Sequence, residues 1–395
     1  MSDQHPLRIL FLSHEFPPTG GGAATALDHL SRALACQGHA IGIITIGIGR
    51  GDEHETDPFG RLIIRLGARR RSLLAPSATE LFRSYLALRF RSAQYAEGFR
   101  PDVLVAFFTF PAGRAALHLR HKIKVPLMVS LRGSDVPGFS PTRWGLLQRI
   151  QPTIVRPVWK SADLLSANGE RLVQLARRFN PSREVLNLPN GVDTQMFFPA
   201  PTPPQKPPLK ILCVGQLISR KRCLELLAGF QWALTQGLDA ELTFVGDGPL
   251  RTALQRAASN PALASRVRIS GLVPRSNLPD LYRQHHVLAH LSSAEGISNV
   301  VLEALASGLT VIGTSSAQVA QSSPSEPHIL LNNVEPKTVG GAFLEHAYRV
   351  PQNEPSSPLP THTLSWEDAA HTFCNTLNDL LAHSEPTHTP NPAGQ

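Results

Sequence analysis

Residues 293–308 read SAEGISNVVLEALASG, and this stretch decides the interpretation of the chain. Two carboxylates, Glu295 and Glu303, have seven residues between them; the first falls in a short loop and the second inside an amphipathic helix. A helix N-terminus favours phosphate, because its N–H groups and its dipole face the anion. Carboxylates accept hydrogen bonds from sugar hydroxyls. The stretch therefore predicts a pocket for a ligand with phosphate in the middle and hydroxyls at both ends, such as a nucleotide sugar.

The predicted helix carries a signal at each end. Ser298 or Asn299 can cap its first turn, because both side chains accept hydrogen bonds from backbone N–H groups. Gly308 can end it in the left-handed conformation that closes many helices. We therefore expect a helix that begins near Asn299 and stops before Gly308.

Length and composition indicate a two-domain globular protein. The chain has 395 residues, which is too many for a single ordinary hydrophobic core. Of these residues, 42% are hydrophobic and 17% are charged. No apolar run approaches the ~18 residues of a membrane span, and the first ten residues lack a secretory signal pattern. The four cysteines form no Cys-x-x-Cys pair, which is typical of a reducing compartment. We expect a cytoplasmic protein.

Strand-like and helix-like runs alternate along the chain, which predicts α/β architecture. Residues 199–208 contain six prolines in ten positions, and this density favours a stiff, extended connector. We therefore predict five segments: an N-terminal Rossmann-like domain at 1–198, a linker at 199–208, a C-terminal Rossmann-like domain at 209–350, a helix at 363–383 that packs back on the first domain, and a disordered tail at 384–395.

The positive charge is concentrated in the first half of the chain. The net charge is +8, and the segment from Arg61 to Arg100 holds nine arginines against Glu80 and Glu97. This segment is either a solvated helix face or a dock for an anionic membrane surface or acceptor. The second interpretation extends the expected location to the inner face of the membrane. Nucleic acid is not expected, because aromatic residues are few and no base-reading module is present.

A glycine turn follows the first predicted strand and opens a helix. Gly20, Gly21 and Gly22 allow close approach of the backbone to a ligand at a helix start that can bind phosphate. The dinucleotide fingerprint also needs a carboxylate at the end of the second strand, and none appears before Asp52. We therefore place a nicotinamide or flavin enzyme last among the candidates, and a purely structural turn remains an alternative.

Three further strand ends carry polar motifs. VGQLISRK places Arg220 and Lys221 where ligands of open α/β sheets bind, and VGDGP repeats the strand, glycine turn and helix. RGSD places Arg132 and Asp135 after a strand of the first domain. Asn190-Gly is primarily a turn signal. No Asp-x-Asp occurs, so the sequence offers no obvious carboxylate site for a Mg²⁺–diphosphate complex, and we expect neither a metal nor a cofactor.

In chain order, the motifs GGG, RGSD, PNGVD, VGQL with RK, VGDGP and EGISNVVLEALASG resemble those of the family 4 retaining glycosyltransferases. The resemblance covers residues 7–315 and implies the GT-B fold, in which two Rossmann-like domains have parallel sheets facing an interdomain cleft. It implies that the first domain binds the acceptor, that the second binds the donor, and that a hinge closes between them.

The resemblance also assigns roles to individual residues. Lys221, helped by Arg220, would contact the donor diphosphate, Glu303 would hold the ribose hydroxyls, and Glu295 would meet the transferred sugar. Arg132 and Asp135 are the candidate catalytic residues of the first domain. The implied donor contacts at the glycine turns and the helix start are Gly21, Gly22, Gln216, Gly246, Asp247, Gly248, Gly296, Ile297, Ser298, Asn299 and Val300.

Three positions depart from the family pattern. Gln216 stands where the family often has Arg, and Arg132 where it commonly has His. Arginine stays protonated in proteins, so Arg132 cannot shuttle a proton, although it can hold a phosphate or a hydroxyl. Residues 315–321 replace an expected Gly-Gly-x-x-Glu stretch, which leaves open a reduced activity.

The expected function is metal-independent, retaining transfer of a sugar from a nucleotide diphosphate sugar to a glycan or lipid-linked acceptor, as in cell-surface polysaccharide or glycoconjugate synthesis. UDP-sugars are the favoured donors and GDP-sugars the alternative. Two other interpretations stay open: a homologue that only binds nucleotide or glycan, and a GT-B sugar-phosphate synthase or phosphorylase. The sequence does not specify the sugar, the acceptor or the oligomeric state.

Overall fold

The computed structural model describes residues 5–71, 73, 76–139, 151–202, 204–315, 328–349 and 364–384. The chain divides into two compact units. Unit 1 runs to Pro189 and also includes the chain from Trp366 onward, and unit 2 is Asn190–Ser365. Each unit has a mainly parallel sheet with helices in its crossovers, which confirms the predicted α/β class.

Unit 1 is built on eight strands within the described residues. They are β1 (Arg8–Leu12), β2 (Ala40–Gly47), β3 (Glu53–Thr56), β4 (Leu62–Gly67), β5 (Val103–Phe107), β6 (Leu127–Leu131), β7 (Leu164–Ala167) and β8 (Leu186–Asn187). Five helices connect them: α1 (Gly22–Cys36), α2 (Ala78–Phe99), α3 (Arg114–Ile123), α4 (Gln151–Ser161) and α5 (Glu170–Phe179).

The sheet of unit 1 has the strand order β3-β4-β2-β1-β5-β6-β7-β8. All pairs are parallel except β3 with β4. The central strands β5 and β6 are buried along their whole length, as expected for strands covered by helices on both faces. Their carboxyl ends therefore deliver residues 108 and 132 to the same edge of the sheet.

The edge strand β3 carries the acidic run that follows β2. Glu53–Thr56 forms an exposed strand antiparallel to β4. Asp52 accepts hydrogen bonds from Gly67 N (2.9 Å) and Tyr95 Oη (2.9 Å), and Glu55 pairs with Arg65 at 2.9 Å. Ion pairs along a charged edge protect it, and the sequence alone did not reveal the partners.

Unit 2 has six described strands in the order β11-β10-β9-β12-β13-β14, all parallel. This is the 3-2-1-4-5-6 order of a doubly wound sheet. The strands are β9 (Leu209–Val214), β10 (Ala240–Val245), β11 (Val267–Ile269), β12 (Val287–His290), β13 (Thr310–Thr314) and β14 (His328–Leu331). The helices are α6 (Cys223–Thr235), α7 (Arg251–Ala258), α8 (Leu278–Arg283), α9 (Asn299–Ala306) and α10 (Pro336–Arg349).

The core of unit 2 lies on both faces of its sheet. Alternate residues of β9 point to opposite faces, so Ile211 and Cys213 pack with α6 and α10, and Leu212 and Val214 pack with α8 and α9. Both faces of the sheet are therefore covered, and helix α9 packs on the face that carries Leu212 and Val214.

The division between the units differs from the predicted one. It falls at Pro189, nine residues before the predicted end of the first domain at 198. Val192 and Phe197 are buried in the core of unit 2, so the chain has already entered that unit before the proline-rich segment begins. His286 Nε2 lies 2.9 Å from Pro204 O, within unit 2. The predicted linker at 199–208 is therefore part of unit 2.

The last described helix, α11 (Trp366–Ser384), belongs to unit 1. The Trp366 ring stacks on His29 with centroids 5.4 Å apart, and Phe373 stacks on Phe11 at 6.2 Å. The chain thus crosses from unit 2 back to unit 1 after Ser365, which backbone pairing with Val192 ties to unit 2. The predicted tail beyond residue 384 lies outside the described residues. Among the described helices, none combines the length and the hydropathy needed to cross a membrane.

Candidate functional site

The carboxyl ends of β9 and β12 form the point where the strand order of unit 2 reverses. The two strands pair in parallel, but their following helices leave in opposite directions across the sheet, which opens a crevice in folds of this kind. A short helical turn, Ser219–Lys221, follows β9. The loop after β12 is tied to this turn by a hydrogen bond of 2.9 Å from Ser293 N to Arg220 O.

Glu295 lies at this point and is held by three side chains. Its Oε1 accepts hydrogen bonds from Lys221 Nζ, Arg220 Nη1 and Ser292 Oγ, each at 2.7 Å. The carboxylate is mostly buried, with 15% of its side chain exposed. Burial acts to raise the pKa of Glu295, but the charges of Lys221 and Arg220 outweigh it and hold the pKa well below its usual value. The group is therefore an ionised carboxylate at any working pH.

His290 lies at the end of β12, beside this charged cluster. Burial, reinforced by the charges of Lys221 and Arg220, lowers its pKa to about 3. Its Nε2 is buried and has no hydrogen-bond partner among the described residues. At neutral pH the ring is therefore uncharged, so the positive charge at the site comes from the lysine and the arginine.

Helix α9 begins four residues after Glu295, as predicted. Ser298 occupies the position before the first turn, but its side chain makes no capping hydrogen bond. Asn299 Oδ1 instead accepts a hydrogen bond of 2.8 Å from Asn190 Nδ2. Gly308 has φ = +81°, and hydrogen bonds from Gly308 N to Leu305 O and from Leu309 N to Ala304 O, both 3.0 Å, close the helix.

Residues 296–300, which lead from Glu295 into the first turn of α9, are placed by the core of unit 2. Ile297 is buried in it and Val300 packs against it from a partly buried position, so these side chains face the protein. Gly296 and Ser298 lie on the same loop, whose backbone runs toward the helix start. Any contact of Ile297 or Val300 with a ligand would therefore come from the backbone.

Glu303 lies within α9 and is almost fully buried, with 3% of its surface exposed. Its Oε1 pairs with Arg275 Nη2 at 3.0 Å, and its Oε2 accepts a hydrogen bond from Tyr282 Oη at 3.0 Å. Burial raises the pKa of Glu303, and Arg275 opposes that rise. A carboxylate has about four acceptor positions, so two remain after these contacts.

The glycine turns after β9 and β10 pack against each other. Gly246 has φ = +136°, and a Cβ built there would lie 1.9 Å from Gly215 O. Asp247 accepts hydrogen bonds from Gly248 N (2.7 Å) and Arg251 Nη1 (2.9 Å), so its contacts fix the start of α7. Gln216 follows the end of β9 and is partly buried. It precedes the short helical turn Ser219–Lys221.

The glycine loop of unit 1 stands at the start of α1. Gly22 is the first residue of the helix and Gly21 precedes it. Gly20 has φ = +100°, and its N–H donates to Leu73 O at 2.6 Å. The loop therefore has the glycine turn and helix start that the sequence predicted.

Asp135, a predicted catalytic residue, lies in a buried network of hydrogen-bond donors. It is 5% exposed and accepts four hydrogen bonds: from Thr109 N (2.8 Å), Thr109 Oγ1 (3.1 Å), Arg132 N (3.0 Å) and Gly133 N (3.0 Å). Burial raises its pKa, and the backbone N–H groups oppose this rise. With its acceptor positions filled, the carboxylate joins the loops after β5 and β6.

Arg132 lies beside Asp135 with its guanidinium carbon 3.8 Å from the centroid of the Phe107 ring. Burial lowers its pKa to about 9, which leaves it protonated at neutral pH. The cation therefore rests on an aromatic face at the sheet edge, where it can bind an anion or a hydroxyl but cannot act as a base.

The two family models that match the chain follow each other along it. The model described as Glycosyltransferase Family 4 matches residues 20–196, and that described as Glycosyl transferases group 1 matches residues 208–345. The chain belongs to glycosyltransferase family 4.

Relatives of known activity support this assignment. The N-acetyl-alpha-D-glucosaminyl L-malate synthase of Bacillus anthracis is 24% identical over 311 residues, covering 75% of this chain and 76% of the relative. The GDP-mannose-dependent alpha-(1-6)-phosphatidylinositol monomannoside mannosyltransferase of Mycobacterium tuberculosis H37Rv is 24% identical over 334 residues, covering 78% and 80%. Sucrose-phosphate synthase of Thermosynechococcus elongatus has a similar structure, with a TM-score of 0.80 at 18% identity over 95% of this chain and 99% of that one. The fold is GT-B, and the protein is a glycosyltransferase.

The basic segment of this glycosyltransferase is mostly engaged in internal contacts. Arg61 pairs with Asp28 (2.9 Å) and Asp57 (2.6 Å), and Arg70 is buried and donates to His14 O at 2.6 Å. Three other arginines of this segment also contact side chains of the same chain: Arg65, Arg89 and Arg91. The members exposed to solvent are Arg69, Arg71, Arg83 and Arg100. Residues 69–71 therefore do not form one exposed cationic patch, because Arg70 points inward.

Several residues at the site were missed from the sequence. Ser292, Arg275 and Tyr282 each contact one of the two predicted carboxylates, and Asn190 contacts the start of α9. Arg275 and Tyr282 come from a turn and a helix remote in sequence from Glu303, so no local pattern indicates them. Ser292 could have been suspected, because it follows a buried strand three residues before Glu295. The departure at residues 315–321 lies outside the described residues apart from Ser315.

Proposed function

We propose that the protein transfers a sugar, with retention of configuration and without a metal ion, from a nucleoside diphosphate sugar to a glycan or lipid-linked acceptor. UDP-sugars are the first donors proposed and GDP-sugars the second, and the pathway is synthesis of a cell-surface polysaccharide or glycoconjugate. The observation that carries the proposal is the convergence of Lys221 and Arg220 on Glu295 Oε1 at the switch point of unit 2.

The two cations suit a diphosphate leaving group. As the glycosidic bond breaks, negative charge grows on the phosphate, and fixed cations stabilise it more than they stabilise the ground state. One well-placed donor of this kind lowers a barrier by ~2.7–4 kcal/mol. We assign to Lys221 and Arg220 the charge neutralisation that other transferases obtain from Mg²⁺.

Glu295 holds the cations in place before the donor arrives. When the diphosphate binds, Lys221 exchanges its carboxylate partner for a phosphate oxygen, and Glu295 is freed to accept hydrogen bonds from hydroxyls of the transferred sugar. The helix start at Asn299 adds N–H groups and its dipole to the phosphate site. A front-face reaction with these groups needs no enzyme nucleophile, which fits the proposed retention.

A panel of nucleotide sugars tests the proposal directly. We expect purified protein to hydrolyse or transfer from one of the UDP- or GDP-sugars, with equal rates in excess EDTA and in Mg²⁺, and the product anomer to match the donor anomer by NMR. Binding of the nucleoside diphosphate without turnover would instead support a binding-only homologue. Absence of both binding and turnover across the panel would exclude the proposed function.

The acceptor side of the proposal includes an anionic membrane surface, docked on the outer face of α2. Phe82 and Phe90 are 55% and 68% exposed on this helix, and Arg83 is exposed between them. Exposed aromatic rings beside arginines suit the interface of a bilayer with anionic headgroups.

Vesicle sedimentation tests this docking surface. The triple variant Phe82→Ser, Phe90→Ser and Arg83→Gln should bind vesicles containing phosphatidylglycerol more weakly than the wild type. Arg178→Gln, an exposed charge loss on α5, serves as the control and should leave binding unchanged. Equal partitioning of the triple variant and the control would exclude this face as the membrane dock.

A further inference from the structure

Glu303 has two partners of unequal kind among the described residues. Tyr282 donates a neutral hydrogen bond, because burial and the charge of Glu303 raise the pKa of its hydroxyl well above the usual value. Arg275 supplies the cation, with Nη2 3.0 Å from Oε1. The charge of this buried carboxylate is therefore balanced by one side chain.

The two members of the ion pair differ in exposure. The Glu303 side chain is 4% exposed, and that of Arg275 is 36% exposed. Arg275 lies on the short turn Arg275–Asn277 after β11, and its guanidinium carbon is 5.6 Å from the centroid of the Phe197 ring. Phe197 is fully buried, so the arginine is anchored on the core while its outer edge remains accessible.

A carboxylate must be ionised to serve as acceptor for two hydroxyls of a diol. A protonated carboxyl group has an O–H donor of its own and fewer acceptor positions. Removing the partner of a buried charge leaves that charge uncompensated, and the group then takes up a proton. The state of Glu303 thus depends on a residue 28 positions away in the chain, outside helix α9.

We propose that Arg275 is a positioning residue for donor recognition: it keeps Glu303 ionised and oriented, and thereby gives the enzyme its preference for ribonucleotides over 2′-deoxyribonucleotides. The assignment rests on the proposed donor site, and in it Arg275 acts through Glu303 without touching the ribose. Tyr282 fixes the second carboxylate oxygen but contributes no charge.

Calorimetric titration with UDP, GDP and their 2′-deoxy forms tests the assignment. For whichever base the wild type binds, we expect Arg275→Gln to weaken ribonucleotide binding about tenfold and 2′-deoxyribonucleotide binding clearly less, since the deoxy form makes only the 3′-hydroxyl contact to the charged acceptor. Arg275→Lys, which keeps the charge, should recover part of the preference. Arg268→Gln, an exposed charge loss on β11, is the matched control and should bind like the wild type.

The pH profile separates positioning from a merely structural role. The titratable groups that act on Glu303 are Arg275 and Tyr282. The Cys213 thiol in turn acts to raise the pKa of Tyr282. In Arg275→Gln, the buried carboxyl should be protonated at pH 7 and ionise as the pH rises, so ribonucleotide affinity should increase from pH 7 to pH 9. The wild type should show little change over that range.

Three outcomes count against the assignment. Equal weakening of ribo- and deoxyribonucleotides, with no dependence on pH, would mean that Arg275 contacts the base or phosphate itself. Unchanged binding in Arg275→Gln would show that Glu303 needs no cation. Failure of the wild type to bind any nucleotide would overturn the proposed function and the assignment with it, whereas the first two outcomes leave the proposed function intact.

Discussion

The carboxyl edges of the two sheets each present a buried carboxylate, but the two are satisfied in different ways. In unit 1, three of the four hydrogen bonds to Asp135 come from backbone N–H groups and one from a hydroxyl. In unit 2, the hydrogen bonds to Glu295 Oε1 come from three side chains, two of them cationic. Backbone donors cannot leave without unfolding a loop, whereas side-chain cations can turn to a ligand.

The pKa directions follow from this difference. Burial raises the pKa of Asp135, since uncharged donors only partly offset the loss of hydration. The pKa of Glu295 is lowered despite burial, because two full positive charges face it. We therefore expect Asp135, among neutral donors, to hold the fold together, and Glu295, among cations, to keep those cations in place for an anionic substrate.

Among substitutions at the two carboxylate sites, Lys221→Met should have the largest effect. The variant removes one cation from the proposed diphosphate site, so we expect kcat to fall by about 10²–10³, the loss typical of one electrostatic donor. Steady-state kinetics with the donor identified by the panel gives the measurement. Lys337→Met, an exposed lysine of α10, controls for general charge loss and should retain full activity.

An unchanged kcat in Lys221→Met would show that the ion pair with Glu295 is structural, as the bonds of Asp135 are. Thermal unfolding of the same variant distinguishes the two cases. A structural pair should lower the unfolding temperature, and a substrate-binding pair should leave it close to that of the wild type.

Asp135→Asn should affect stability where Lys221→Met affects turnover. The amide keeps one acceptor oxygen but turns an NH₂ group toward donors that need an acceptor, so we expect a loss of roughly 2–4 kcal/mol in the free energy of unfolding. Urea unfolding measures it, with Glu97→Gln on α2 as an exposed control. Nucleoside diphosphate affinity should be unchanged, and a large loss of affinity at normal stability would restore the catalytic role expected from the sequence.

Much of the proposed donor site in unit 2 follows from local sequence, and the polar network of unit 1 follows less well. The Glu295-to-Gly308 stretch predicts its own helix, because the apolar spacing, the start and the closing glycine lie within sixteen residues. The surroundings of Asp135 could not be predicted, because its donors include the N–H group of Thr109, which follows a different strand. Arg275 and Tyr282 were missed for the same reason. The domain boundary was displaced because proline density marks an extended chain, and an extended chain can also lie along a domain.

Two buried histidines of unit 2 make its stability depend on pH. Burial lowers the pKa of His290 to about 3 and that of His286 to about 4, below the ordinary value of 6.5. Between pH 6.5 and about 4, these two histidines bind more protons in the unfolded chain than in the folded one. The free energy of unfolding therefore falls as the pH drops through that range. Replacing His290 by leucine should reduce this slope by about 1.4 kcal/mol per pH unit, measured by urea unfolding between pH 6 and pH 4.5.

An unaltered slope in His290→Leu would mean that the ring titrates normally and that the cationic cluster does not act on it. His371→Leu, an exposed histidine of α11, is the control, and its profile should follow that of the wild type.

Among the predicted substitutions, Ser292→Ala should have the smallest effect. Its hydroxyl donates the neutral member of the three hydrogen bonds to Glu295 Oε1, so its loss leaves both ion pairs in place. We expect donor KM to change by no more than about tenfold, because one neutral hydrogen bond contributes ~0.5–1.5 kcal/mol. If Ser292→Ala were as damaging as Lys221→Met, the geometry of Glu295 would matter more than the charge around it. A small change in KM for Ser292→Ala, together with a large loss of kcat for Lys221→Met, would show that Glu295 acts by holding the cations in place for the substrate.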